Sequence, residues 1–141
     1  MLITRETDYA VRILRALADR ERHNMTELCD SEAVPRQFAY KIIHKLAEAQ
    51  LVRSVRGVNG GVQLISDLRN LSLLDVIQIT ESDARISDCM DPSYLCNWRQ
   101  KNCKACAVHS RLCEIQQQIN EELRKISLHD LLSVRDTSNV R

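Results

Sequence analysis

Five of the chain's six cysteines fall between Cys89 and Cys113, together with His109 and the sole tryptophan, Trp98. Cys89, Cys96 and Cys103 are each separated by six residues. Cys103 and Cys106 form a Cys-x-x-Cys pair, and His109 and Cys113 follow one helical turn apart. Thiolates at this density are the ligands that transition metals and iron–sulfur clusters select. Three chemistries fit the spacing. A structural zinc site can use a Cys-x-x-Cys pair with a further Cys and a His, although zinc ribbons and knuckles use two close pairs and this stretch has one. A redox dithiol at Cys103 and Cys106 is the second, here without the strand-to-helix setting of thioredoxin-like proteins. The third is an iron–sulfur cluster held by three widely spaced loop cysteines and a non-cysteine fourth ligand. Spacing alone leaves all three open.

The rest of the composition narrows the setting. A chain of 141 residues forms one domain, or one small domain with an extension, and buries roughly two-thirds of its unfolded surface. Disulfides are not needed to fold it. No apolar run approaches the length of a membrane span, and the opening stretch meets the acidic Glu6 before any long apolar core, unlike a signal peptide. A cytoplasmic, reduced protein without membrane association is expected, in which clustered cysteines serve as metal ligands or redox thiols rather than bridges. No nucleophile–base pair or phosphate loop supports an enzyme.

The elements around the cysteines have the order of a DNA reader. Residues 5–19 place Tyr9, Ile13, Leu14, Leu17 and Ala18 on one helical face. A short helix Thr26–Ser31, capped by Thr26 or Asn24, leads through Glu32-Ala33-Val34 to Pro35, which can open a helix because its missing N–H is not needed there. The helix Pro35–Gln50 buries Phe38, Ile42, Ile43 and Leu46 and leaves Arg36, Gln37, Tyr40, Lys41, His44 and Lys45 outward. Two helices joined tightly, the second basic on its free side, make a helix-turn-helix. Net charge is only +1, but residues 36–56 carry five basic side chains against one acidic, Glu48. That is a local footprint for phosphate.

Strands Leu51–Arg56 and Val62–Ile65 flank a turn holding all three glycines of the chain, the pattern of a wing, with Arg56 or Asn59 available to the minor groove or to phosphate. A short helix follows over Ser72–Glu81, capped by Ser72. Residues 82–102 read as a polar loop. A long helix from Ala105 to about Ile126 carries Val108, Leu112, Ile115, Ile119, Leu123 and Ile126 as one narrow apolar stripe, the pattern of a helix–helix seam. Ser127–Leu132 makes a last capped turn, and the remaining residues look disordered. The expected fold is therefore mostly α with a small β wing. Residues 1–81 form a winged helix-turn-helix, 82–104 a cysteine-rich loop, 105–132 a long C-terminal dimerisation helix with a short terminal helix, and 133–141 a tail.

Three stretches taken together, Thr7-Asp8-Tyr9-Ala10, Leu51-Val52 with Ser54-Val55-Arg56-Gly57-Val58-Asn59-Gly60-Gly61, and Leu73-Leu74-Asp75-Val76-Ile77, resemble the Rrf-two family of bacterial winged-helix regulators. The resemblance runs from Met1 to about Leu132. It implies a homodimeric, sequence-specific DNA-binding transcription regulator, a repressor, acting on a double-stranded operator. In its cluster-binding branch, three cysteines lie between the fourth helix and the dimerisation helix, and the third opens that helix. Carried over, this makes Cys89, Cys96 and Cys106 the ligands of a 2Fe-2S or 4Fe-4S iron–sulfur cluster. Cys106-Ala107-Val108-His109 matches the IscR-like spacing of third cysteine and histidine.

This chain departs from the pattern in its long gap between Cys96 and Cys106, which leaves Cys103 as an alternative third ligand. The fourth ligand is His109, or Asp8 of the partner subunit as in NsrR-like members. DNA contacts carried over are Gln37, Tyr40 and Lys41 on the base-reading side and Arg56 in the minor groove, with Arg36, Lys45 and Asn59 on phosphates. The implied signal is iron–sulfur or iron status, nitric oxide or redox state. A cluster-free thiol or zinc switch in the same family is the alternative, and a small redox protein the rival outside it.

Overall fold

The computed structural model describes residues 3–81 and 83–133. Seven α-helices and one two-stranded antiparallel sheet are formed by these residues. Helix α1, Arg5–Ala16, is capped by Thr4, whose hydroxyl accepts from the Glu6 N–H. It buries Thr7, Ala10, Ile13 and Leu14, and a 3-10 turn, Leu17–Asp19, adds buried Leu17. Ala18, expected on the apolar face, is exposed, because the tighter turn rotates it away from the core.

Helix α2, Met25–Glu32, is capped by Asn24 rather than Thr26 and ends in a left-handed Ala33. Buried Val34 then anchors the connection to α3, Arg36–Glu48. Pro35 is the cap of α3 rather than its first residue, held extended at φ −60° and ψ 134°. Helix α3 buries Ala39, Ile42, Ile43 and Leu46 against α1, while Phe38 is only half-buried and meets Tyr9 edge-on with ring centroids 5.5 Å apart.

The wing pairs β1, Val52–Val55, with β2, Gly61–Leu64, in the register Val52↔Leu64 to Val55↔Gly61. Glycine is required in its turn on two grounds. Gly57 has φ +111°, and a Cβ at Gly60 would lie 2.3 Å from the Val55 carbonyl oxygen. His23 extends the sheet by one bridge, exchanging two 2.9 Å backbone hydrogen bonds with Val62.

Helix α4, Leu73–Thr80, starts with a capping box in which Ser72 and Asp75 each satisfy the other's backbone. Its mean hydropathy is high because it packs against α1, α3 and the long helix. Within the segment expected to be a loop, a 3-10 turn, Asp88–Met90, and a short helix α5, Asn97–Asn102, are formed. Asn97-Trp98-Arg99-Gln100-Lys101-Asn102 has no apolar period, so no helical pattern announces α5.

The long helix α6 runs Ala107–Lys125, beginning two residues later than expected. Among its residues only Gln116 is buried, and Val108 on the apolar stripe is 67% exposed. The stripe is covered only in part by the rest of the protomer: Leu112, Ile119 and Leu123 are half-buried, Leu123 against the core, while Val108, Ile115 and Ile126 are exposed. Helix α7, Leu128–Leu132, returns the chain to the core: Leu128 is fully buried, and its N–H donates to the Leu71 carbonyl at 2.7 Å. Among the described residues no helix is long and apolar enough to cross a membrane. The expected disorder of the tail concerns residues 134–141, outside the described residues.

Candidate functional site

Two surfaces carry the candidate functional side chains. The first is the groove between α3 and the wing, a space of about 870 Å³ lined by Tyr40, His44, Ser54, Arg56 and Gly57 among others. Arg36, Gln37 and Tyr40 project from the first two turns of α3 and are exposed, as are Arg56 and Asn59 on the wing. Arg36 donates to the Thr26 hydroxyl at 3.1 Å, which steadies it at the α2–α3 corner. On the far side of the wing, Arg22 donates to the Asn59 carbonyl at 3.5 Å. Of the seven residues assigned to DNA, Tyr40 and Arg56 line this groove.

The two lysines are placed differently. Both reach Glu6 of α1, Lys45 Nζ lying 2.6 Å from Oε1 and Lys41 Nζ 2.9 Å from Oε2. Lys45, expected outward, is turned in: its side chain is 28% exposed, and it also donates to the Thr80 carbonyl. Glu6 is 14% exposed. Burial pushes its carboxyl up, but hydrogen bonds and charge from Lys45 and Lys41 outweigh that, and the group sits below the ordinary carboxylate range. Sequence reasoning missed Glu6. It is separated from both lysines by more than thirty residues, and no local pattern marks it.

The second surface is the cysteine segment. Cys89 lies in the 3-10 turn and accepts a hydrogen bond from the Ser87 hydroxyl at 3.2 Å. The turn is braced by Arg85, which bonds Asp83 through Nε at 2.8 Å and also bonds Asp91. Asp91 is held down to about 2, first by the Ser93 hydroxyl and N–H and then by Arg85. Cys96 caps α5 and Cys106 caps α6, neither bonding the first turn of its helix through its thiol. Cys103 ends α5 in the left-handed region at φ 48°, exposed, with its thiol 3.7 Å from the Gln100 carbonyl oxygen.

Of the two candidate fourth ligands, Asp8 is half-exposed and paired with Arg12 at 2.9 Å. His109 Nε2 lies 3.6 Å from Cys113 Sγ, and its Nδ1 is buried without a hydrogen-bond partner. Cys113, which no sequence pattern assigns, thus gains a neighbour. Cys29 is buried in α2, and desolvation pushes its thiol up, as for an inert core cysteine.

The donor types suit an iron–sulfur centre: several thiols on one segment, with an imidazole nitrogen left unsatisfied beside them. Their spacing does not close around one. Among the described residues no three His, Cys, Asp or Glu side chains are gathered where they could hold a metal ion.

Comparison with known proteins agrees with this architecture. The family model described as "Rrf2: Iron-dependent Transcriptional regulator" matches residues 3–134. The HTH-type transcriptional regulator NsrR of Bacillus subtilis is 27% identical over 140 residues, spanning 96% of this chain and 89% of that one. Protein aau3 of Rhizobium meliloti is 28% identical over 99% of this chain and 90% of its own. Among solved structures, T. potens IscR superposes with a TM-score of 0.71 at 20% identity, covering 99% of this chain and 91% of that one. The oxidized form of Staphylococcus aureus CymR gives 0.72 at 20% identity, over 97% of this chain and all of that one. At these identities the structural likeness speaks for the winged-helix fold, and the family model spans nearly all of the described chain. The chain belongs to the Rrf2 family of transcriptional regulators.

Proposed function

We propose that the protein is a homodimeric, sequence-specific DNA-binding repressor whose operator affinity depends on an iron–sulfur cluster. The observation that carries this is positional. The thiol-rich segment is the sole covalent connection between α4, which packs on the reading helix, and α6, whose apolar stripe is left partly exposed in the protomer. Cys89, Cys96 and Cys106 would hold the cluster, with Cys103 the alternative third ligand and His109 or Asp8 of the partner subunit the fourth. When bound, the group supplies an iron whose non-thiolate ligand exchanges readily, as a sensor requires.

The chain's own residues do the reading. Helix α3 enters the major groove with Gln37, Tyr40 and Lys41 toward base edges, Arg56 reaches the minor groove, and Arg36 and Asn59 meet phosphates. Lys45 is a weaker candidate for phosphate, since its ammonium is engaged by Glu6 and Thr80. Two copies joined along Val108, Leu112, Ile115 and Ile119 would set the half-site spacing. Any change in the cysteine segment that alters this spacing changes DNA affinity by linkage.

The test is anaerobic purification with iron and sulfide analysis, followed by duplex DNA binding before and after the iron is chelated away. Near-stoichiometric iron and sulfide, with a change in affinity on their removal, is the expected result. The runner-up is a cluster-free thiol or zinc switch, favoured by the Cys113–His109 contact. Zinc in place of iron, or DNA affinity indifferent to iron removal, would replace the first reading with it.

A further inference from the structure

The lysines of the reading helix are not equally available to DNA. Lys45 is fixed between Glu6 of α1 and the carbonyl of Thr80 in α4. Lys41 is 59% exposed, and its ammonium rests on Glu6 Oε2. Glu6 is thus a fixed anion just beneath the surface that α3 offers to a duplex.

The turn of α1 that carries Glu6 is pinned in its own right. Thr4 and Thr7 donate to Glu81 Oε1 at 2.5 and 2.6 Å, and the buried hydroxyls of Thr7 and Thr80 lie 2.8 Å apart. Thr80 and Glu81 end α4, and the chain runs from there into the segment that holds Cys89.

A carboxylate and a phosphate compete for the same ammonium. For Lys41 to neutralise a phosphate it must leave Glu6, which then keeps one cation fewer in a largely desolvated place. We infer that Glu6 is a positioning residue for DNA contact, an internal counter-anion that withholds Lys41 from the duplex, from backbone phosphate on random sequence as from base edges at an operator. Its place is tied, through Thr4, Thr7 and Glu81, to the end of α4 from which the cysteine segment departs. The inference rests on the DNA-reading function proposed above and supplies a physical connection between that surface and the cysteines.

The test is the salt dependence of binding to a labelled random-sequence duplex, followed by fluorescence anisotropy on the full chain. Each phosphate neutralised adds about 0.9 to the slope of log affinity against log salt. Glu6→Gln is expected to bind several-fold more tightly with a slope steeper by about one. Adding Lys41→Met to Glu6→Gln removes that gain and returns the slope to that of Lys41→Met alone. Glu81→Ala, which removes both hydroxyl contacts, shifts the slope part of the way toward Glu6→Gln.

A wild-type protein that loses a full phosphate contact on Lys41→Met has Lys41 already free for DNA, which overturns the inference even if Glu6→Gln does not fold. Weaker binding by folded Glu6→Gln at unchanged slope, the mark of a merely structural residue, overturns it as well. An unchanged slope in Glu81→Ala removes the tie to α4. Absence of duplex binding by the wild type would overturn the DNA-reading function itself, and the inference with it.

Discussion

Gln116, the one buried residue of α6, accepts a hydrogen bond from the backbone N–H of Ile86 at 2.8 Å, three residues before Cys89. Its amide nitrogen donates to Asn120 at 2.9 Å, so both ends of the side chain are used. This single bond anchors the start of the cysteine segment to the long helix. Gln116→Ala leaves the Ile86 N–H without its partner, at a cost of about 1–3 kcal/mol. Denaturant unfolding should report that loss, and Cys89 should alkylate faster. An unchanged unfolding midpoint would mean that the anchor contributes nothing.

Acid should weaken the α1–α3 contact. Burial raises the Glu6 carboxyl, the ammonium groups of Lys45 and Lys41 lower it further, and the folded value lies below the ordinary one. The charged form is therefore the one that the fold prefers. Its contribution is complete above the unfolded carboxylate range and is lost as pH falls through the folded value. Between wild type and Glu6→Gln, the difference in unfolding free energy should be constant near neutrality and shrink in acid. A difference that does not depend on pH would show that the Glu6 charge is not stabilising.

The wing can be broken without touching the core. A Cβ at Gly60 meets the Val55 carbonyl oxygen at 2.3 Å, the Gly57 carbonyl oxygen at 2.8 Å and the backbone carbon of Arg56 at 2.9 Å, all of it backbone that cannot swing aside. Gly60→Ala should therefore displace Arg56 and Asn59 and weaken duplex binding at least as much as Arg56→Ala does. The helical circular dichroism should be retained. Intact binding by Gly60→Ala would remove the wing from the DNA-contacting surface.

Leu128 carries the return of the chain to its core. It is fully buried and sits beside the Ser72↔Ser127 bridge. Truncation to Ala should cost about 2–5 kcal/mol. If the cost appears as global unfolding, α7 is part of the cooperative core. Faster hydrogen exchange confined to α6 and α7 would instead mark a separable unit.

The apolar stripe of α6 predicts its own partner. Placing a charge on it, as in Ile119→Asp, should dissociate a dimer and be visible as a halved mass by sedimentation, with the protomer still folded. The same change on the solvent side, Gln117→Asp, should leave the mass unchanged.

Much of the fold could be read from local patterns. The apolar spacing of Ile13, Leu14 and Leu17 marks α1, and Ser72 marks the start of α4. Clustered glycines mark the wing. These signals are legible because caps, turns and helical faces are contacts between residues close in sequence. The types of residue able to bind a cluster or a phosphate were equally visible, as was the family pattern around Thr7-Asp8-Tyr9-Ala10.

Helix α5 was not legible, since Trp98 and Arg99 give no amphipathic period, and its formation turns Cys96 into a helix cap and Cys103 into a left-handed end. Nor was the inward turn of Lys45. On a helical wheel it belongs to the polar face of α3, yet packing of α1 and α4 against that helix brings Glu6 and the Thr80 carbonyl to its ammonium. By itself the chain's order of residues determined the elements other than α5, the family and the donor types, all of which are local or additive properties. Only the tertiary structure decided which charges are paired within the protein and which thiols have neighbours. Glu6 meets Lys41 and Glu81 meets Thr4 and Thr7 across wide gaps in sequence, and burial sets the strength of those contacts.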